Sequence, residues 1–391
     1  SGPDFFNAKI EIDGHIWAGN VEIHVRASDW HRHGHHADRA YDSVILHVVG
    51  HSDAEVRRPD GQPIPQLELP YTPDYRSRYD AMVNNTVDRL ACSRHLYGFS
   101  PIHITDWITA LGHERLYAKV ERVNSALGRL DGDWQAAAYV TLARALGFST
   151  NSDAFERVAY ATPLRCLLKH RSDRRLLEAT LFGQAGFLAT AGNDPEHPGY
   201  VDDLRADYGF MKAKYGLSAP ESPGWKMARM RPPNLPHRRI AALAAIIADG
   251  FRFGSAFSHV TNQADARNLF TTEITGYWAT HYTFGPSSAY VPRAFSPDSV
   301  TSLIINAVVP LLYAYGVYFG DDSKTAAAVE LLQSLPPENN SVTRIFTDQG
   351  IPCDDAFSSQ ALIQLRRAYC EPRKCLYCRI GHRILASKAK P

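Results

Sequence analysis

The segment Ala8-Lys9-Ile10-Glu11-Ile12-Asp13-Gly14-His15-Ile16-Trp17-Ala18-Gly19-Asn20-Val21-Glu22-Ile23-His24-Val25-Arg26 decides how the fold begins. Ala8, Ile10 and Ile12 alternate with Lys9, Glu11 and Asp13, and Val21, Ile23 and Val25 alternate with Glu22, His24 and Arg26. A period of two is that of β-strands. Asp13-Gly14 between the two runs is a two-residue hairpin signal, because both residue types tolerate the positive φ that such turns require. The segment therefore predicts an antiparallel hairpin with Ile12 opposite His15. Outward from it, Val44-Ile45-Leu46-His47-Val48-Val49 reads as a further strand, Asp60-Gly61 as a turn, and Ile64 to Leu69 as an extended segment.

From about Tyr75 the apolar period becomes helical, which predicts helices near 75–93, 112–128, 133–146, 153–169, 174–191, 200–215 and 238–250. Pro220, Pro223, Pro232, Pro233 and Pro236 mark an irregular crossing between two helical halves. Leu181-Phe182-Gly183-Gln184-Ala185-Gly186-Phe187 lacks the lysine of a phosphate-binding loop and reads as helix packing through small residues. The expected fold class is α+β, or mixed. A small N-terminal α/β unit spans 1–75, an all-helical body 76–350 and a Cys-rich tail 351–391.

With 45% hydrophobic residues and 21% charged ones across 391 positions, the chain is neither disordered nor fibrous. Its 42 Lys+Arg against 41 Asp+Glu identify no partner by charge alone. The uncharged stretch Leu303 to Gly320 contains Asn306, Pro310 and Gly316, and reads as a buried core helix in preference to a membrane span. No signal peptide pattern opens the chain. A soluble cytoplasmic protein with no membrane partner is expected.

The chemistry concentrates near the N-terminus. Hairpin pairing sets Asp4 opposite Ile23, and one extra residue near Gly19-Asn20 would bring it opposite His24. Glu22 and His24 share a strand face, so Asp4, Glu22 and His24 are expected on one side. Ser28-Asp29-Trp30-His31-Arg32-His33-Gly34-His35-His36-Ala37-Asp38 follows with four His and two Asp, and His47 interrupts an otherwise apolar strand.

Pro3-Asp4 followed by Glu22-Ile23-His24 resembles the PD-(D/E)XK nuclease signature, with His24 where that signature has lysine. The resemblance implies a restriction-endonuclease-like sheet in which Asp4 and Glu22 hold Mg²⁺ or Mn²⁺. His24 would stand near the attacking water, and Asp29, His36 or His47 would support it. Over nearly its full length the chain also resembles an uncharacterised bacterial family, a domain of unknown function. The stretches that carry this likeness include Gly2-Pro3-Asp4-Phe5, His33-Gly34-His35-His36, Arg229-Met230-Arg231-Pro232-Pro233-Asn234 and Cys375-Leu376-Tyr377-Cys378-Arg379-Ile380-Gly381. That likeness implies a longer N-terminus, with a first helix and strand upstream of Ser1.

Two further features remain. Cys353, Cys370, Cys375 and Cys378, with a Cys-x-x-Cys knuckle, suit Zn²⁺ or an iron–sulfur cluster in a structural role. Cys92 and Cys166 lie in helical patterns and read as core residues. Lys226, Arg229, Arg231, Arg238 and Arg239 fall between Ser222 and Asp249, a run without an acidic residue, which suits contact with a nucleic-acid backbone, DNA being favoured. The leading expectation is a divergent metal-dependent nuclease. The alternatives are a metallohydrolase of another class that binds a transition metal through His24, His33, His36 and His47, and a catalytically inactive nucleic-acid-binding scaffold.

Overall fold

A computed structural model describes residues 2–12, 14–58, 60–69, 73–85, 89–96 and 99–386. They form two compact units, one of residues 1–91 with 382–391, the other of residues 92–381. The class is α+β: a small mixed sheet opens the chain and helices make up most of the rest.

The sheet has four strands in spatial order β1 (Phe5–Ile12), β2 (His15–Arg26), β3 (Val44–His51) and β4 (Gln66–Glu68). β1 and β2 pair antiparallel with Ile12 opposite His15, as the hairpin reading requires. Asp13 of the turn lies outside the described residues, and Gly14 has φ 78°. The register shifts between Ala8↔Gly19 and Phe5↔Val21, so the extra residue sits on β1, not near Gly19-Asn20 as the sequence suggested. Asn7 absorbs the shift at φ 52° and its N–H donates to Asn20 Oδ1 at 3.1 Å. Asp4 therefore meets Glu22 and Ile23 and not His24.

β2 and β3 run parallel, as do β3 and β4. A parallel pair needs a crossover connection, and residues 27–43 supply it through a short helix Asp29–Arg32 and 3₁₀ turns at His35–Ala37 and Arg39–Tyr41. Trp30 and Tyr41 of this crossover pack with Ala27, Val44, Val49, Val56 and Ile64 as the unit's apolar core. The polar alternation of β2 is inverted relative to a solvated sheet: Glu22 and His24 are 6% and 8% exposed, while Ile23 and Val25 are 46% and 58% exposed. Buried polar groups must find partners, so this inversion marks the site.

In the helical unit the boundaries follow local chemistry. A helix runs Pro101–Arg129, starting well before 112 because Ser100 precedes a proline in the first turn, where a missing N–H costs nothing. The 153–169 pattern splits into Ser152–Ala161 and Leu164–Leu168 at Pro163. The helix Arg174–Gln184 stops where Gly186 takes φ 79°, and Gly183 in it leaves room only for Tyr208, whose Cγ would lie 2.2 Å from an added Cβ. The helices Trp134–Leu146, Tyr200–Tyr215 and Pro236–Ala248 match their expected positions, and the last is buried from Pro236 to Ile247. A continuous helix Pro297–Phe319, containing a π segment Ile304–Val308, is long and apolar enough to cross a membrane, but 67% of its most apolar window is buried inside the protein.

Candidate metal centre

The buried face of β2 and the crossover build one cluster. Strand alternation points Glu22 and His24 the same way, and the short helix and first 3₁₀ turn deliver His33 and His35 to them. The ring nitrogens of His24, His33 and His35 lie within 4.8 Å of one another. His24 Nε2 is 3.1 Å from His33 Nδ1 and 3.6 Å from Glu22 Oε1, and His35 Nε2 is 3.3 Å from the same carboxylate oxygen. Behind them His24 Nδ1 meets Nε2 of the fully buried His47 at 2.8 Å. Trp30 packs against His24, His35 and His47, and Tyr41 stacks on His35 with 3.8 Å between ring centres.

Burial disfavours the protonated form of His24, His47 and His35. His24 is pushed down to about 4 by burial, then by the neighbouring His35 and His33. His47 is also pushed down to about 4, by burial and then His24 and His35. His35 is lowered by burial and by His33. Neutral imidazole is the ligating form. Burial raises the Glu22 carboxyl, opposed by the Asp4 N–H that donates to Glu22 Oε2 at 3.0 Å. Asp4 in turn accepts the Ile23 N–H at 3.0 Å.

The sequence-derived candidates separate clearly. Asp4, Glu22, His24 and His47 come together, with His47 behind the ligand shell and not in it. His36 does not join them: it is exposed and faces His31 at 5.0 Å, while its neighbour His35 turns inward. Asp29 is buried and already engaged, accepting from Arg26 N at 3.2 Å and pairing with Arg32 at 2.8 Å. His35 is the ligand candidate that sequence reading passed over.

Among the cysteines the grouping differs from the expected one. The Cys92 thiol is pushed up to about 12 by burial, then by the thiols of Cys378 and Cys375, and Cys370 is raised by burial and then by Cys92, Cys378 and Cys375. Cys353 stands apart, among Ser358, Asp355, Asp354 and Glu338. Cys166 is an ordinary buried core residue. No three thiols among the described residues lie within 4.8 Å of one another.

The basic run also divides. Lys226, Arg229 and Arg231 are exposed. Arg238 and Arg239 are 3% and 4% exposed. Arg238 donates to the carbonyls of Trp278 and Pro292, and Arg239 to Asn234 and Ser299 while its guanidinium lies over Phe148. Their charge is thus spent inside the helical unit. Positive charge gathers elsewhere, where Arg115, Lys119, Arg122, Arg144 and Arg367 line a cavity of about 420 Å³. Its two carboxylates are Glu156, bound to Arg144 at 2.6 Å, and Glu338. Burial, then Arg115, pushes Lys119 down to about 7. Arg115, Lys119 and Arg122 sit at helical spacing on Pro101–Arg129, where sequence alone gives a solvated face, and Arg144 and Arg367 come from other helices.

An α+β chain with an imidazole–carboxylate cluster on a small mixed sheet is the class that fold and site define. The chain belongs to the DUF2851 family, proteins of unknown function, whose family model matches residues 1–341. No curated protein and no solved structure matches it.

Proposed function

We propose that the N-terminal unit is a metal-dependent phosphodiesterase, nuclease-like in substrate, whose ion is held by His24, His33, His35 and Glu22. The observation that carries this reading is the convergence of three imidazoles and one carboxylate oxygen, with His24 braced by a buried histidine. Three imidazoles and one carboxylate suit Mn²⁺, Zn²⁺ or Fe²⁺ better than Mg²⁺, which takes oxygen ligands. Bound there, such an ion supplies Lewis acidity and lowers the pKa of a coordinated water. Asp4, exposed and hydrogen-bonded through its N–H to Glu22, would orient that water. His47 fixes the tautomer of His24: with Nε2 given to the ion, Nδ1 carries the proton and donates it to His47 Nε2.

The nucleic-acid reading draws support from the Pro3-Asp4 and Glu22-Ile23-His24 likeness, from the exposed Lys226, Arg229 and Arg231, and from the cationic cavity, since phosphate contact needs charge more than sequence reading. The thiols of Cys92, Cys370, Cys375 and Cys378 are proposed to hold a structural metal. A single Zn²⁺ draws four sulfurs to about 3.8 Å from one another, from Zn–S bonds of about 2.3 Å. Four thiolates suit either Zn²⁺ or a four-cysteine iron–sulfur cluster.

The test is cleavage of a labelled panel of single- and double-stranded DNA and RNA by wild type and Glu22→Gln, with Mn²⁺, Zn²⁺, Mg²⁺ or chelator. Cleavage that requires both metal and Glu22 supports the proposal. Binding without turnover by the metal-loaded protein selects the inactive scaffold instead.

A further inference from the structure

A second, independent set of metal-ligating groups lies in the helical unit. Asp194, His197 and His281 bring their ligand atoms within 4.8 Å of one another, His281 coming from a distant part of the sequence. Asp194 and His281 are 2% and 0% exposed, whereas His197 is exposed.

The hydrogen bonding of the two buried groups assigns their protons. His281 Nδ1 lies 2.8 Å from the Tyr277 carbonyl oxygen, an obligate acceptor, so Nδ1 carries a proton and Nε2 is the ring nitrogen turned towards Asp194. Asp194 Oδ1 accepts the Glu196 N–H at 2.9 Å, which turns Oδ2 the other way. His281 Nε2 and Asp194 Oδ2 then face each other at 3.0 Å, and neither has a hydrogen-bond partner among the described residues. An imidazole nitrogen and a carboxylate oxygen buried at that distance need a positive species between them, a proton or a metal ion, and His197 within 4.8 Å of both completes the donor set of the second. The Tyr277 hydroxyl borders the pair: burial raises it, and the charge and hydrogen bond of Asp194 raise it further, so it stays protonated and supplies Asp194 with a neutral donor, not a positive charge. A backbone carbonyl that fixes the tautomer of a ligating histidine is the usual outer-shell arrangement at metal sites. Tyr277 further holds the ring by stacking on it at 3.9 Å between centres.

We infer that Asp194, His197 and His281 form a site for a divalent first-row transition cation, with two imidazoles and one carboxylate as ligands. Mixed nitrogen and oxygen donors exclude Mg²⁺ and Ca²⁺ as the natural occupant. Three protein ligands leave a coordination position, and the exposure of His197 places that position at the solvent side, as at sites that bind water or an anionic ligand. The site depends on no feature of the N-terminal cluster.

The experiment uses the full chain with His24→Ala and His33→Ala, which silences the N-terminal cluster, stripped of metal by chelator and titrated with Co²⁺. Cobalt bound by imidazole and carboxylate gives visible bands without the thiolate charge-transfer absorption that any cysteine-bound cobalt shows. One equivalent of the first kind is expected. Asp194→Asn should abolish it. His197→Ala, at an exposed position that leaves folding intact, should weaken it by at least the roughly tenfold that loss of a mere outer-shell partner costs. Absence of that equivalent in the starting protein, or unchanged affinity in folded His197→Ala, overturns the inference.

Discussion

Replacing His47 with leucine separates the outer shell of the N-terminal cluster from its ligands. His24 Nδ1 loses an acceptor at 2.8 Å in a place where both rings are under a tenth exposed. A buried N–H left without a partner costs about 1–3 kcal/mol, and that cost falls on the metal-bound form, because only there is the Nδ1 proton obligatory. Converted at about 1.4 kcal/mol per decade, the expected loss of metal affinity is about 5- to 140-fold, which brackets the roughly 10- to 100-fold found when outer-shell partners are removed. The unloaded fold should not suffer in step. His47 Nδ1 is itself buried without a partner among the described residues, so an apolar side chain of similar size removes one unsatisfied group while it creates another. The assay is competition for Co²⁺ or Zn²⁺ against a chromophoric chelator in a His197→Ala background, with thermal melts of the stripped protein beside it. His47→Gln, which keeps an acceptor, should recover part of the affinity. Wild-type affinity in His47→Leu would refute the assigned role, as would a loss of affinity fully matched by unfolding of the stripped protein.

Three other outcomes are expected. The stripped N-terminal unit should lose stability as pH falls from about 6.5 towards 4, because His24, His35 and His47 are held below their ordinary value in the folded state. The unfolded chain then binds more protons in that window, and stability rises with pH across it and levels above; Glu22, raised in the fold, opposes this as a single group. Melting curves between about pH 4.5 and 7.5 that show no slope would contradict the burial argument. Gly183→Ala should destabilise the helical unit by about 1–3 kcal/mol through overpacking against Tyr208, and an unchanged melting temperature would show that the two helices can part freely. Arg122→Met, at an exposed cation of the cavity lining, should weaken binding to nucleic acid and flatten its salt dependence by roughly one unit of slope; equal slopes for variant and wild type would remove the cationic cavity from the nucleic-acid surface.

Much of the fold is legible along the chain because its signals are local. Alternation in Ala8–Ile12 and Val21–Val25 places the strands, and prolines and glycines place the ends of helices. What sequence order conceals is which neighbour turns inward. In β1 and β2 either Asn7 or Asn20 is a plausible bulge, and the choice decides whether Asp4 meets Glu22 or His24. In the 3₁₀ turn at His35–Ala37 adjacent side chains diverge widely, so His35 enters the cluster and His36 does not, although the two residues are alike in composition and context. Arg238 and Arg239 read as a charged surface until their carbonyl and aromatic partners are seen. The groupings of Cys92 with Cys370, Cys375 and Cys378, and of Asp194 with His281, join residues that only tertiary structure brings together. No periodicity announces them.

The most direct test of the central claim couples occupancy to turnover in one titration. Metal-free protein receives Mn²⁺ or Zn²⁺ in fractional equivalents while hydrolysis of an activated phosphodiester is followed. The assignment of His24, His33, His35 and Glu22 predicts a rate that rises with site occupancy and saturates when the N-terminal cluster is filled. It also predicts no metal-dependent rate in His33→Ala, an exposed substitution that leaves the fold in place. A metal-dependent rate that persists undiminished in folded His33→Ala, or its absence from the loaded wild type, would contradict it.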